Sequence, residues 1–195
     1  MIGLFGSRRG TAALEFALVL PAMIICAIGS FEVTYYVMAN LRLSAATQAM
    51  AELVASQTEI NSMSDLCAGV RMIMTPLKSS PLSLAVASVT NSQDSGVETD
   101  WQDVTCGGAT PIAVPAAAAA SLVPNAGDSV IVVQSRYLYT SPLSLILPAN
   151  RSVSQTAFAR PYANQTVIGP QASLAPPSQA AWTARGLIAP QKARS

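Results

Sequence analysis

Histidine is absent from this chain, and with it go imidazole general bases, His-containing triads and the commonest zinc sites. Charge is scarce too. Asp, Glu, Lys and Arg make up 11% of the 195 residues, against roughly a quarter in ordinary soluble domains. The two lysines and nine arginines are scattered and the net charge is +1. No basic face exists to neutralise phosphates, which argues against nucleic acid as a partner. None of the three cysteines has the C-x-x-C spacing of a redox site. No G-x-S-x-G or S-x-x-K context activates a serine. No catalytic residue, metal ligand or cofactor is therefore assigned, and the chain is not expected to be an enzyme.

What the chain has is apolar residues, 51% of the total, with much of that content in one early block. From Thr11 to Phe31 it reads TAALEFALVLPAMIICAIGSF, long enough at helical rise to cross a hydrocarbon core of about 30 Å. Arg8 and Arg9 stand just before it. The positive-inside tendency then keeps the N-terminus in the cytoplasm and sends the remainder across. Glu15 is the one charge inside the block. An ionisable group in an apolar span costs at least about 2.5 kcal/mol unless it is paired, and it either snorkels from a helix start or marks a function. A secretory signal with Ala27-Ile28-Gly29 as its cleavage site is the rival for the whole segment. A lipoprotein signal at Cys26 is disfavoured, because the bulky Ile25 stands where such signals need a small residue.

Gly10 immediately precedes the block, follows Arg8-Arg9 and lies five positions before Glu15, which Phe16 follows. This string, RRG/TAALEF, resembles the cleavage signal of type IV-like prepilins. The wider stretch RRGTAALEFALVLPAMIICAIGSFEVTYYVMANLRLSAATQAMAELVA, with its Leu20-Pro21, is similar to the start of the TadE-like proteins, minor pilins or pseudopilins of the tight-adherence (Flp) pilus system. Major Flp pilins are similar at the cleavage motif but much shorter. The later segment VIVVQSRYLYTSPLSLILP is also similar to the later part of TadE-like domains.

The resemblance implies cleavage by a membrane prepilin peptidase between Gly10 and Thr11. Thr11 would then carry a new α-amino group, and Glu15, beside Phe16, would meet a neighbouring subunit's terminal ammonium. A buried charge of this kind is penalised when its partner is missing, so Glu15 would set the axial register of assembly. The implied partners are the peptidase, other pilins or pseudopilins, and the inner-membrane assembly platform. The implied location is the bacterial inner membrane, crossed once, with the C-terminal domain periplasmic and pilus-associated if incorporated. A second reading from another class is a membrane-anchored extracytoplasmic binding module that never joins a filament.

Beyond the block, Tyr36, Ala39, Leu43, Ala46, Met50 and Leu53 recur at three- and four-residue steps, a seam for packing on the chain's own domain or on a partner helix. A helix over 11–57 is expected, with Pro21 bending it. Ser62-Met63-Ser64-Asp65 has capping-box spacing and opens a second, shorter helix that stops near Pro76. Strands are predicted over 82–90, 97–105, 130–139 and 152–162, with Asp94-Ser95-Gly96 turning between the first two. In the third strand Val130, Val132, Gln134, Arg136 and Leu138 share one face, and Ile131, Val133, Ser135, Tyr137 and Tyr139 the other. The helix can cover only one of them.

The expected architecture is α+β and pilin-like: a long N-terminal transmembrane helix packed on a small antiparallel sheet. Its parts are a leader over 1–10, the helix over 11–57, an extracytoplasmic domain over 58–163 and a flexible Pro/Ala/Gln-rich tail over 164–195. Trp182 and Leu187-Ile188 in that tail read as incidental or as a docking motif. The alanine run after Pro115 could be a short helical turn or an extended loop. Cys67 and Cys106 both fall in the extracytoplasmic part, where oxidising conditions favour a disulfide, with two unrelated thiols as the alternative. Asp94, Glu98, Asp100 and Asp103 read as the solvated charges of a hairpin, since they lack the spacing of a calcium loop.

Overall fold

The computed structural model describes residues 8–78, 81–113, 115–143, 150–162 and 166–170, with side chains from residue 13 onward. Residues 1–7 of the expected leader lie outside the described residues, as do 171–195 with Trp182, Leu187 and Ile188. Helix α1 runs from Arg8 to Ala55, 48 residues, or about 70 Å at helical rise. Pro21 sits inside it and removes one backbone donor, yet the helix continues through that position.

In its second half α1 buries Ala39, Leu43, Ala46, Thr47, Met50, Ala51 and Val54. The expected seam ran through Leu53 instead, which is 40% exposed while Val54 is fully buried. A straight helix turns every 3.6 residues, so a stripe laid out at 3.5 drifts sideways and passes from position 53 to 54. A second helix, α2, spans Met63–Ile73 and buries Met63, Cys67 and Val70, one face at helical spacing. Ser62 stands at its N-cap with extended backbone but makes no capping bond. Its hydroxyl pairs with that of Ser64 at 2.8 Å instead. At the other end of α2, the Arg42 guanidinium of α1 donates to the Ile73 carbonyl at 3.0 Å, a cation at the negative end of a helix.

Four strands follow: β1 Leu82–Ser92, β2 Gly96–Cys106, β3 Ser129–Thr140 and β4 Asn150–Ala159. They form one antiparallel sheet in the order β2-β1-β3-β4. The β1–β2 turn closes at Gly96, whose φ of 75° suits glycine. Alternation along β1 and β3 divides two cores. Leu82, Leu84 and Val86 join Ile131, Val133, Tyr137 and Tyr139 under the helices. Ala85, Ala87 and Val89 join Val130 and Val132 on the opposite face. That second face is covered by the segment around Ile112, Ala119 and Val123, in which α3 (Pro115–Ala119) is followed by a 3-10 turn over Ala120–Leu122. The cover stops there, and Gln134, Arg136 and Leu138 on the same face are exposed.

Helix α1 lies along β3 and β4, and α2 packs at the β2 side. A disulfide joins Cys67 of α2 to Cys106 at the end of β2, with the Cα atoms 5.9 Å apart. Residues 166–170, on the tail side of the 163/164 boundary, are held against the domain. The Ile60 amide donates to the Ile168 carbonyl, and the Ile168 amide to the Thr58 carbonyl, both at 3.0 Å. Trp101 Nε1 donates to the Val167 carbonyl at 2.7 Å.

Candidate functional site

Among the described residues, nothing packs on α1 from Ala13 to Ala27. Leu14, Leu18 and Met23 are 72, 80 and 60% exposed, and every residue from Ala13 to Ala27 is exposed. Such a contiguous apolar surface needs lipid or a partner to cover it, and the helix is long and apolar enough to cross a membrane once. Glu15 is exposed on this bare stretch with Phe16 next to it. Gly10 and Thr11 already belong to the helical backbone, because α1 begins at Arg8.

Where the bare half meets the head, aromatic rings and charges gather that sequence reasoning did not single out. Phe31 and Tyr35 lie one turn apart with ring centroids at 4.6 Å. Tyr36 meets Tyr139 of β3 edge to face at 5.5 Å, and the Arg151 guanidinium of β4 sits 5.7 Å from the centre of the Tyr36 ring. Both are ordinary attractive geometries for aromatic and cation–π pairs. Glu32 is fully buried at this junction, although an acid just past an apolar block reads in sequence as a solvent-facing residue. Burial pushes the Tyr139 phenol above its usual range. The Glu32 carboxylate and Tyr35 add to the shift, and the nearby Ser141 side chain opposes it. Burial also raises Tyr137, with Tyr139 adding.

The acidic residues of the β1–β2 hairpin are not uniformly turned to water. Asp100 accepts from Thr90 Oγ1 at 2.7 Å and from Ser88 Oγ at 3.2 Å. Its carboxyl is pushed up by burial, against the pull of those two bonds, with Glu98 adding. Asp103 is buried and accepts from the amide and hydroxyl of Thr105 at 3.0 and 2.7 Å. The sequence signal for both was the run of hydroxyl residues at the same register, S-V-T on β1 and V-T on β2. Among the described residues, no three His, Cys, Asp or Glu side chains gather as a metal site.

A long apolar helix, bare over its first half and packed over its second on a four-stranded antiparallel sheet, defines a pilin-like α+β protein. Residues 10–52 match the family model described as TadE-like protein, a stretch that begins at Gly10 and ends inside α1. No curated protein and no solved structure matches the chain.

Proposed function

We propose that this chain is a minor pilin or pseudopilin of a tight-adherence (Flp-type) pilus system, cut by a prepilin peptidase between Gly10 and Thr11 and held by α1 in the bacterial inner membrane with its head in the periplasm. One observation carries this reading. The TadE-like segment starts at Gly10, and the helix behind it presents a single carboxylate, Glu15, on an otherwise apolar, uncovered surface. A helix of this kind has two needs, a cover for its apolar side chains and a counter-charge for its acid. Lateral packing against a neighbouring subunit meets both. The neighbour's helix covers the surface, and its new Thr11 ammonium answers Glu15. The head and its disulfide then serve as the part that faces other pilins and the assembly platform.

Sequencing the N-terminus of the mature protein tests the first step. Thr11 is the expected first residue, and a chain beginning at Ser30 would mean ordinary signal-peptidase cleavage and overturn the proposal. Glu15→Gln tests the second. The variant should insert and be cut normally yet fail to enter assemblies with other pilins, whereas full function would favour a simple membrane-anchored binding module.

A further inference from the structure

The head has a groove of about 460 Å³ at the end where the apolar block stops, between Tyr35 of α1, Leu77 and Lys78 of the loop after α2, and Leu138 to Pro142 at the end of β3. It exists because β3 runs on past β1. The ladder between them ends at Leu82 and Tyr137, and the Leu138 amide donates at 3.4 Å to the Pro81 carbonyl just before β1 begins.

The position of this groove relative to a bilayer follows from α1. If the block ending at Phe31 fills the hydrocarbon core, Tyr35 stands about 6 Å further along the axis. The polar layer on each side of the core is about 5–8 Å deep. Tyr35 and Tyr36 therefore lie at head-group level, and Tyr36 holds Tyr139 of the groove at the same height. β3 descends along α1, since Ser135 meets Thr47 and Tyr139 meets Tyr36, so the end of β3 points toward the lipid.

The surface chemistry at that end matches a lipid interface. Lys78 and Arg151 are exposed cations, Phe31, Leu138 and Leu143 are 46, 46 and 52% exposed, and tyrosines line the space between. Aromatic rings, basic side chains and outward apolar residues at one level are the anchors that proteins place at a membrane surface. Among the described residues, the acid at this junction is Glu32, which is fully buried and close enough to act on Tyr139.

We propose that this end of the head rests on the bilayer and that the groove takes the head group of an anionic phospholipid, with Lys78 as the cation that meets its phosphate and Arg151 adding to the field. The inference rests on the single crossing of α1 and is independent of cleavage and of filament entry.

The test uses the full chain with Cys26→Ser, carrying a fluorophore on Leu143→Cys, in phosphatidylcholine vesicles with increasing head-group-nitroxide phosphatidylglycerol. Quenching should be strong and half-complete at a low fraction of the anionic lipid. Lys78→Gln should move that midpoint up about fivefold, the worth of one basic residue near an anionic surface, while Lys78→Arg should leave it in place. A second label on Leu18→Cys, read with tail-nitroxide lipid, reports the crossing itself. Quenching at Leu18 but none at Leu143 would sink the head-group site and leave the anchor standing. No quenching at Leu18 would remove the membrane crossing on which both depend. Equal quenching by a nitroxide phosphatidylcholine, or a protective effect of inorganic phosphate on its own, would also overturn the proposal.

Discussion

Thr47 of α1 and Ser135 of β3, 88 residues apart in sequence, have their buried hydroxyl oxygens 2.5 Å from each other. Thr47 has one proton and spends it on the Leu43 carbonyl at 2.6 Å. Ser135 is therefore the donor between them, and its other acceptor, the Gln155 carbonyl, is distant at 3.4 Å. This bond ties α1 to the sheet at one height, at residue 47 of the helix and residue 135 of β3.

Thr47→Val should cost about 1 kcal/mol, because it leaves the Ser135 donor buried with only its long bond. Ser135→Ala should cost a similar amount. The double variant should cost clearly less than the two together, since both remove one interaction. Urea unfolding of the full chain in detergent measures the cycle, and strict additivity would mean that the two hydroxyls do not interact.

Removing the disulfide with Cys67→Ser and Cys106→Ser should destabilise the head by about 4 kcal/mol, from the entropy regained by a loop of roughly forty residues in the unfolded chain. Denaturation with and without reductant gives the same comparison on the native chain. A loss below about 1 kcal/mol would show that the unfolded state is already compact around this loop.

Asp100 should show itself in the pH dependence of stability. Its folded carboxyl is raised above 3.8. The unfolded chain therefore releases the proton first as pH rises, and the native state loses stability between 3.8 and the folded value. Asp100→Asn keeps an acceptor for Thr90 and Ser88 without the charge. It should be more stable than the parent at pH 7, with the difference shrinking below the ordinary carboxylate range. Melting curves at neutral and acid pH check the sign.

Gly169 lies against Trp101 so closely that a Cβ would fall within 2.8 Å of three atoms of the indole ring. The ring is buried and tied through Nε1 to Val167, so it has little room to move. Gly169→Ala should cost about 1–3 kcal/mol as an overpacked contact and should make the 166–170 segment more accessible to protease. An unchanged cleavage pattern would mean that this segment contributes little to the domain.

Much was legible from local pattern alone. The apolar block with Glu15 in it, the helix through position 55, the two-residue alternation of β3 and the turn before Gly96 all depend on neighbours a few positions apart, and periodicity reports those directly. Ser62 shows the limit of such signals. Its spacing to Asp65 is that of a capping box, but its hydroxyl found Ser64 instead, a choice among near-equal local bonds that spacing does not resolve.

The sequence by itself determined that this protein carries a membrane-length helix, a TadE-like start, an acid inside its apolar block and a strand-rich head, because each of these is written in residue type and interval. Only the tertiary structure decided that Glu32 is buried, that Val54 replaces Leu53 in the core, that Asp100 and Asp103 turn inward, and that Tyr36, Tyr139, Arg151 and Lys78 gather at one end. The burial of Glu32 and Val54 and the meeting of Tyr36 with Tyr139 and Arg151 depend on how α1 is rotated and set against β3 and β4, a relation between segments about a hundred residues apart that no interval along the chain encodes, whereas Asp100 turns inward through the pairing of β2 with β1.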